Sequence, residues 1–406
     1  QVGDFQVAIS GGFWVATRVN VMAKTYDFPF DPDYESVGTA TSHLTGKQIN
    51  RFCHIHQSID DLLNKQKMTR LYAQEVGGCI QRCMGIDALN SLSIATYDAD
   101  QKHGTSYNNN FIEFMKRVQD EDLSLVCAQT DAKGNRIWRP GQQKDPDLYL
   151  RVIEKRADGI IVRGAKAHNS ASVYVDEIVV LPTRNMLADE SDWAVAFSIP
   201  ADWDGVILVN APFYPPQRKK LKAPHADIGF SHSLTIFDDV FVPWERVFLC
   251  GETEQAGKAA LYFALFHRHS YTGCKAALSE VITGCTALAA EYNGIDKASH
   301  VRHTLAEMIQ VVDLIYAAGI ASAINATRSD SGTYVPDTNY VNAGRMLAGE
   351  AIYREYENLA AIAGGLACTL PSETDFADDN VGPFLDKYIM RNPNISAEEQ
   401  HRAFRL

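Results

Sequence analysis

"DLYLRVIEKRADGIIVRGAKAH", residues 147–168, alternates apolar and polar side chains and breaks at Asp158-Gly159. A period of two around a tight turn predicts a β-hairpin. The hairpin sits in a wider β region, about residues 123–250, that also holds "SVYVDEIVVLP", "GVILV" and "SLTIFDDVFVP". On both sides the period changes. Upstream, "SIDDLLNKQKMTRLYAQEVGGCIQRCMGIDALNSLSIATYDADQK" (58–102) keeps apolar residues three and four apart with no proline, which predicts helices. Downstream, three long helical patterns begin at residues 256, 299 and 342, with Gly294 and Gly364-Gly365 marking ends. The fold class is therefore α+β, divided as a helical region 1–122, a β region 123–250 and a helical bundle 251–406.

At 406 residues the chain exceeds what one hydrophobic core usually serves, so several domains are expected. Apolar residues at 46% and charged residues at 22% are ordinary globular usage. The net charge of −12 opposes a nonspecific hold on nucleic acid and favours a small-molecule partner. No stretch reads as a membrane span of roughly 18 to 20 apolar residues, and "QVGDFQVAIS" lacks the layout of a signal peptide. The reading is cytoplasmic, with no membrane partner. Both ends read as cut: the chain starts at Gln1 rather than Met, and Ser396-Ala-Glu-Glu looks like the capping box of a helix barely begun.

Eight cysteines (53, 79, 83, 127, 250, 274, 285 and 368) imply free thiols in such a compartment, with metal binding or catalysis as the exceptions. Cys79 and Cys83 are four apart, one face of a helix and about 6 Å along its axis. They are either packing or half of a metal site. "FHRHSYTGC" (266–274) supplies another half, because His267 and Cys274 are seven apart and Tyr271 lies between them. A Cys3His set suits zinc or an iron–sulfur cluster, although the spacing fits neither a zinc ribbon nor a ferredoxin.

"VCAQTDAKGNR" (126–136) and "GAKAHNSAS" (164–172) are polar turns at strand ends, ordinary loops or the lining of a flat polar ring. No G-x-G-x-x-G follows a strand, so a nucleotide cofactor would not be held in a Rossmann fold. "RKKLK" (218–222) is a basic cluster in an acidic chain, either a solvated loop or an attraction for the phosphates of a carrier such as CoA. P-loop, H-E-x-x-H and Ser/His/Asp signatures are absent.

Together "TGKQINRFCHIHQSIDDL", "CIQRCMGIDALN", "TDAKGNR", the 147–168 stretch, "FDDVFVP", "HRHSYTGCK", "YNGIDKASHV" and "AGGLACTLPSETDF" resemble the 4-hydroxybutyryl-CoA dehydratase / vinylacetyl-CoA Δ-isomerase family. That family is a branch of the group containing the 4-hydroxyphenylacetate 3-monooxygenases (large component). The resemblance runs from about Val21 to Leu406. It implies an acyl-CoA dehydrogenase-like fold with an N-terminal helical domain, a middle β-barrel and a C-terminal helical bundle, assembled as a homotetramer.

The same resemblance implies FAD and a [4Fe-4S] cluster. Cys79, Cys83, His267 and Cys274 would be the cluster ligands. Gln129, Thr130, Arg136, His168, Asn169 and Ser170 would lie against FAD, and Lys297, His300, Gly364 and Gly365 against the cofactor of a neighbouring subunit. Gln81, Tyr271 and Lys275 would line the substrate cavity, and His267 would double as a base. The implied activity is dehydration of 4-hydroxybutyryl-CoA to crotonyl-CoA through radical intermediates, with vinylacetyl-CoA isomerisation.

Two departures from the family stand out. Ser231-His232-Ser233 occupies the strand where the family carries a glutamate, so His232 is the candidate replacement, and the family continues past Leu406. The alternatives are a flavin-dependent monooxygenase hydroxylating a phenol, its cysteines serving as packing, and a non-catalytic paralogue with structural zinc.

Overall fold

The computed structural model describes residues 21–212 and 231–403. Helix α1 (Ile59–Val76) starts where the Ser58 hydroxyl accepts the Asp61 amide at 3.1 Å and stops at left-handed Gly77. Helices α2 (Cys83–His103) and α3 (Tyr107–Asp120) follow. The basic run at 218–222 lies outside the described residues.

Eight strands succeed them: β1 (Leu125–Ala128), β2 (Arg151–Lys155), β3 (Gly159–Ser170), β4 (Glu177–Val180), β5 (Val195–Pro200), β6 (Val206–Pro212), β7 (Ser231–Pro243) and β8 (Val247–Cys250). The expected hairpin forms as β2–β3, with Lys155 opposite Ile160. It belongs to an antiparallel sheet ordered β2-β3-β7-β6, and a second sheet runs β8-β5-β4-β1 with β1 parallel to β4. Bulges interrupt the β3–β7 ladder between Val162 and Gly164 and between Lys166 and Asn169. Gly164, at φ +138°, is required at the first, because a Cβ there would lie 2.6 Å from the Leu150 Cα.

The two sheets face each other across Val126, Ile178, Val180 and Phe197 on one side and Val152, Val162, Phe237 and Val240 on the other. Phe197 and Phe237 meet edge to face at 5.8 Å. Among the described residues these sheets do not close, which corrects the expected barrel to a sandwich. The other face of the β8-β5-β4-β1 sheet is occupied by Leu89 and Leu92 of α2 and Phe111, Phe114 and Met115 of α3. Covering both faces explains why β1 and β4 are buried at every residue instead of alternating, as "SVYVDEIVVLP" had suggested.

The downstream patterns fold as α4 (Thr253–Tyr292), α5 (Ser299–Ile324) and α6 (Thr338–Ala363). Helix α4 has 40 residues, about 60 Å, and packs on α1, α2, α5 and α6. Contrary to the sequence expectation, α5 is long and apolar enough to span a bilayer by length and composition. Here it packs instead on α1, α4 and α6, with Val301, Met308, Val312 and Ile315 buried.

Candidate functional site

After Gly77 the chain leaves the helix, and Cys79 lies in an irregular connector rather than on a helical face. This corrects the expected one-helix geometry of Cys79 and Cys83. The cause is the Gly77-Gly78 stop, followed by Gln81 in the left-handed region at φ +58°. Such a backbone costs on the order of 1–3 kcal/mol for a residue other than glycine and persists only where its surroundings hold it.

Two clamps hold it here. Gln81 Nε2 donates to the Ser231 carbonyl at 3.1 Å. Arg82, 1% exposed, reaches Asp122 Oδ1 at 2.8 Å, the Leu123 carbonyl at 3.2 Å and Thr25 Oγ1 at 3.1 Å. Its guanidinium carbon lies 4.5 Å from the ring centroid of Tyr26 and 5.3 Å from that of Phe52.

The clamped connector brings the Cys79 thiol to those of Cys83, which opens α2, and Cys274 of α4. Hydrogen bonds from Cys274 and Cys83 hold Cys79 well below the usual thiol range. The same contact with Cys79, together with burial, pushes Cys83 and Cys274 up. Three thiols sharing protons in this way are primed to lose them to a metal centre.

His267 completes the set from α4, on which it sits two turns before Cys274. Cys83 Sγ, an Asp87 oxygen and a His267 ring nitrogen all lie within 4.8 Å of one another. His267 Nδ1 is 2.9 Å from Asp87 Oδ2. With Nδ1–H directed to that carboxylate, Nε2 is the nitrogen left for a metal or a proton. Asp87, fully buried, also accepts Lys65 Nζ at 3.0 Å and Ser270 Oγ at 2.9 Å. Burial works to raise its pKa, but Lys65 and His267 outweigh that and leave the carboxyl below its ordinary range.

Asp87 was not singled out in the sequence. The available signal was spacing, since Cys79, Cys83 and Asp87 recur every fourth residue. Tyr271 and Lys275 continue the line of His267 along α4, each one turn further on, and both are half-buried. Burial pushes the Tyr271 phenol up, opposed by the Arg345 guanidinium of α6.

Residues 129–130 and 168–170 meet beside this centre. Asp131 pairs with Lys166 at 2.8 Å, both 2% exposed, and the Ala167 amide donates to the Thr130 carbonyl at 2.7 Å. Lys166 Nζ also donates to the Gln129 carbonyl at 3.0 Å. Gln129 and Thr130 are thereby fastened alongside His168, Asn169 and Ser170 at the end of β3. Burial pushes the Asp131 carboxyl up despite the lysine. Arg136 lies further along the same loop, exposed. His232 is exposed and its Nδ1 is 2.9 Å from Ser170 Oγ, so it joins this segment. The Ala171 amide donates at 2.9 Å to the same Ser231 carbonyl that Gln81 holds, which joins the cysteine connector to the 168–171 segment.

Lys297, His300, Gly364 and Gly365 gather elsewhere. They flank the contact of Ala298 and Val301 with Ile362 and Ala363, at the far end of the bundle. Tyr292, the last residue of α4, is 18 residues and about 27 Å beyond Cys274, so these four do not reach the thiol site of their own chain.

The donor set suits the implied groups. Three soft thiols and one oriented imidazole fit an iron–sulfur cluster or zinc, and the unpartnered, buried Oδ1 of Asn169 has a free acceptor among the flavin candidates.

Comparisons with known proteins bear on these features. Family models for 4-hydroxyphenylacetate 3-hydroxylase match over both halves, the N-terminal one at residues 12–249 and the C-terminal one at 256–406. The chain is 41% identical over 405 residues to the 4-hydroxybutyryl-CoA dehydratase/vinylacetyl-CoA-Δ-isomerase of Clostridium aminobutyricum, covering 97% of this chain and 83% of that one. Among solved structures, an oxygen-tolerant archaeal 4-hydroxybutyryl-CoA dehydratase from N. maritimus superposes with a TM-score of 0.92 at 38% identity, over 95% of this chain and 78% of its own. The oxygenase component of 4-hydroxyphenylacetate 3-monooxygenase complexed with FAD gives 0.83 at 29% identity, over 95% and 80%.

Proposed function

The chain belongs to the 4-hydroxyphenylacetate 3-hydroxylase family of enzymes, and within it we propose a dehydratase of the 4-hydroxybutyryl-CoA type that holds FAD and a [4Fe-4S] cluster. One observation supports the reading: Cys79 interacts with both Cys83 and Cys274, and ligand atoms of Cys83, Asp87 and His267 lie within 4.8 Å of one another. A phenol monooxygenase of the same family has no use for three thiols sharing protons around an oriented imidazole.

Cys79, Cys83, Cys274 and Nε2 of His267 would hold the cluster, and Gln129, Thr130, Arg136, His168, Asn169 and Ser170 the flavin. When bound, these groups supply reversible one-electron transfer and a Lewis-acidic iron for the departing hydroxyl.

The chain's own residues then position substrate and move protons. Gln81, Tyr271 and Lys275 would line the substrate cavity. When not engaged as a ligand, His267 Nε2 would accept the substrate proton, and the Asp87 carboxylate at Nδ1 would steady the imidazolium that forms. His232, held by Ser170, stands where the family carries a carboxylate and would serve the second proton transfer.

A homotetramer follows from the same reading. Ile309 and Leu314 of α5 and Met346, Tyr353 and Tyr356 of α6 are exposed, an apolar surface suited to further copies of the chain. Lys297, His300, Gly364 and Gly365 at the bundle end would then meet a neighbour's FAD.

Anaerobic purification followed by assay of iron, sulfide, zinc and flavin tests the proposal. Iron and sulfide with FAD support it. Flavin alone returns the protein to the monooxygenase reading, and zinc alone to a structural site.

A further inference from the structure

His267, Tyr271 and Lys275 form one partly exposed stripe on α4, while Ser270 and Cys274 between them are buried. At its far end two cations flank a single ring. Arg345 Cζ lies 4.6 Å from the Tyr271 centroid and Lys275 Nζ 5.4 Å from it, which puts the charges within about 10 Å of each other.

Neither cation has an ion pair or hydrogen bond among the described residues, in a chain with 50 acidic against 38 basic side chains. Other arginines of the bundle are paired: Arg70 with Glu280, and Arg354 with Glu307 at 3.9 Å. Glu355 of α6 is a carboxylate on which the Lys275 charge acts. It is 2% exposed, accepts from Ser279 Oγ at 3.0 Å and makes no ion pair with either cation, and burial pushes its carboxyl up against the opposing pull of Ser279 and the Lys275 charge.

Two like charges held against one ring repel each other unless an anion sits between them, and a planar guanidinium with free N–H groups is suited to a two-oxygen acceptor. We propose that Arg345 and Lys275 form an oxyanion-binding site beside Tyr271 that takes an anionic oxygen of the acyl-CoA substrate. Two parts of that substrate present such oxygens: its phosphates, and its thioester once the carbon beside the carbonyl has lost a proton. The identity of the ligand rests on the dehydratase reading above; the site itself does not.

The test is calorimetric titration of anaerobically purified holoprotein and its Arg345→Gln variant with CoA, with an acetoacetyl-pantetheine thioester that carries an acidic enol and no phosphate, and with inorganic pyrophosphate. Arg345→Lys serves as the charge-preserving rescue, and Arg354→Gln as a control for loss of an exposed arginine on the same helix.

Loss of about ten-fold or more in affinity for CoA, with the pantetheine thioester spared, assigns the site to a phosphate. The converse assigns it to the thioester oxygen. Pyrophosphate bound in an Arg345-dependent way, with neither CoA nor the pantetheine thioester bound, keeps the anion site and sinks the acyl-CoA reading. Affinities unchanged by Arg345→Gln, or no binding of any probe, overturn the proposal.

Discussion

Gln81 and Ser231, 150 residues apart, are joined by a hydrogen bond of 3.1 Å from the side-chain amide to the backbone carbonyl. The residue between two cluster-candidate cysteines thus holds the strand that carries His232. Bond and backbone strain coincide at one position, and substitution separates them. Gln81→Ala loses the bond and keeps the strain, so it should cost about 1–2 kcal/mol. Gln81→Gly relieves the backbone and should stay within about 1 kcal/mol of the parent. Equal midpoints in urea unfolding would show that the left-handed turn is unstrained.

Cys79→Ala and Cys83→Ala should each abolish iron and sulfide incorporation and activity, while FAD still binds. An active Cys83→Ala protein with a full cluster would overturn the ligand assignment.

Asp87→Asn leaves Lys65 buried without its carboxylate and His267 without its acceptor. Breaking a buried pair in this way typically costs about 3–5 kcal/mol, and losing the partner of a metal-bound histidine about 10- to 100-fold in metal affinity. Thermal unfolding and iron content measure the two effects separately. Normal iron content in a destabilised variant would make Asp87 a packing residue only.

Acid stability should report on Asp61, which receives the Gln57 amide at 2.9 Å and lies 3.2 Å from both Arg51 Nη1 and His54 Nε2. Burial opposes its ionisation, yet the proximity of His54 and the hydrogen bond from the Gln57 amide hold the carboxyl below its ordinary range. The folded state therefore binds this proton less readily than the unfolded chain. Its contribution is present above the ordinary carboxylate pKa of about 4 and disappears as pH falls through the lower folded value. Asp61→Asn should be less stable than the parent near pH 7, and the gap should narrow below about pH 4. A gap independent of pH would remove Asp61 from the account.

Lys166→Met should leave Asp131 buried and unpaired, loosen Gln129 and Thr130 from His168, and weaken FAD binding about ten-fold or more. The double change Lys166→Met with Asp131→Leu should recover stability without recovering FAD affinity. Recovery of both would mean that the ion pair acts through stability alone.

Much of the architecture is legible residue by residue. The 147–168 alternation becomes β2 and β3 and the three downstream patterns become α4, α5 and α6, whereas the stop at Gly77 inside the 58–102 stretch was not read. The line His267, Tyr271, Lys275 follows from helical spacing alone, because neighbours along a helix are set by its 3.6-residue period. What went astray depended on distant partners. Cys79 lies off the helix because α1 stops at Gly77-Gly78, and the turn that follows is held by Arg82 on Asp122 and Leu123.

The sequence by itself therefore determined the helices, the strands and the ligand types, all matters of short-range periodicity and composition. Only the tertiary structure decided that Cys79 would turn back to Cys83 and Cys274, that Asp87 would orient His267, and that Arg345 would face Lys275 across Tyr271. Those contacts join residues that spacing along one element cannot relate, and they exist because burying the apolar faces of separate helices and sheets brings the side chains together.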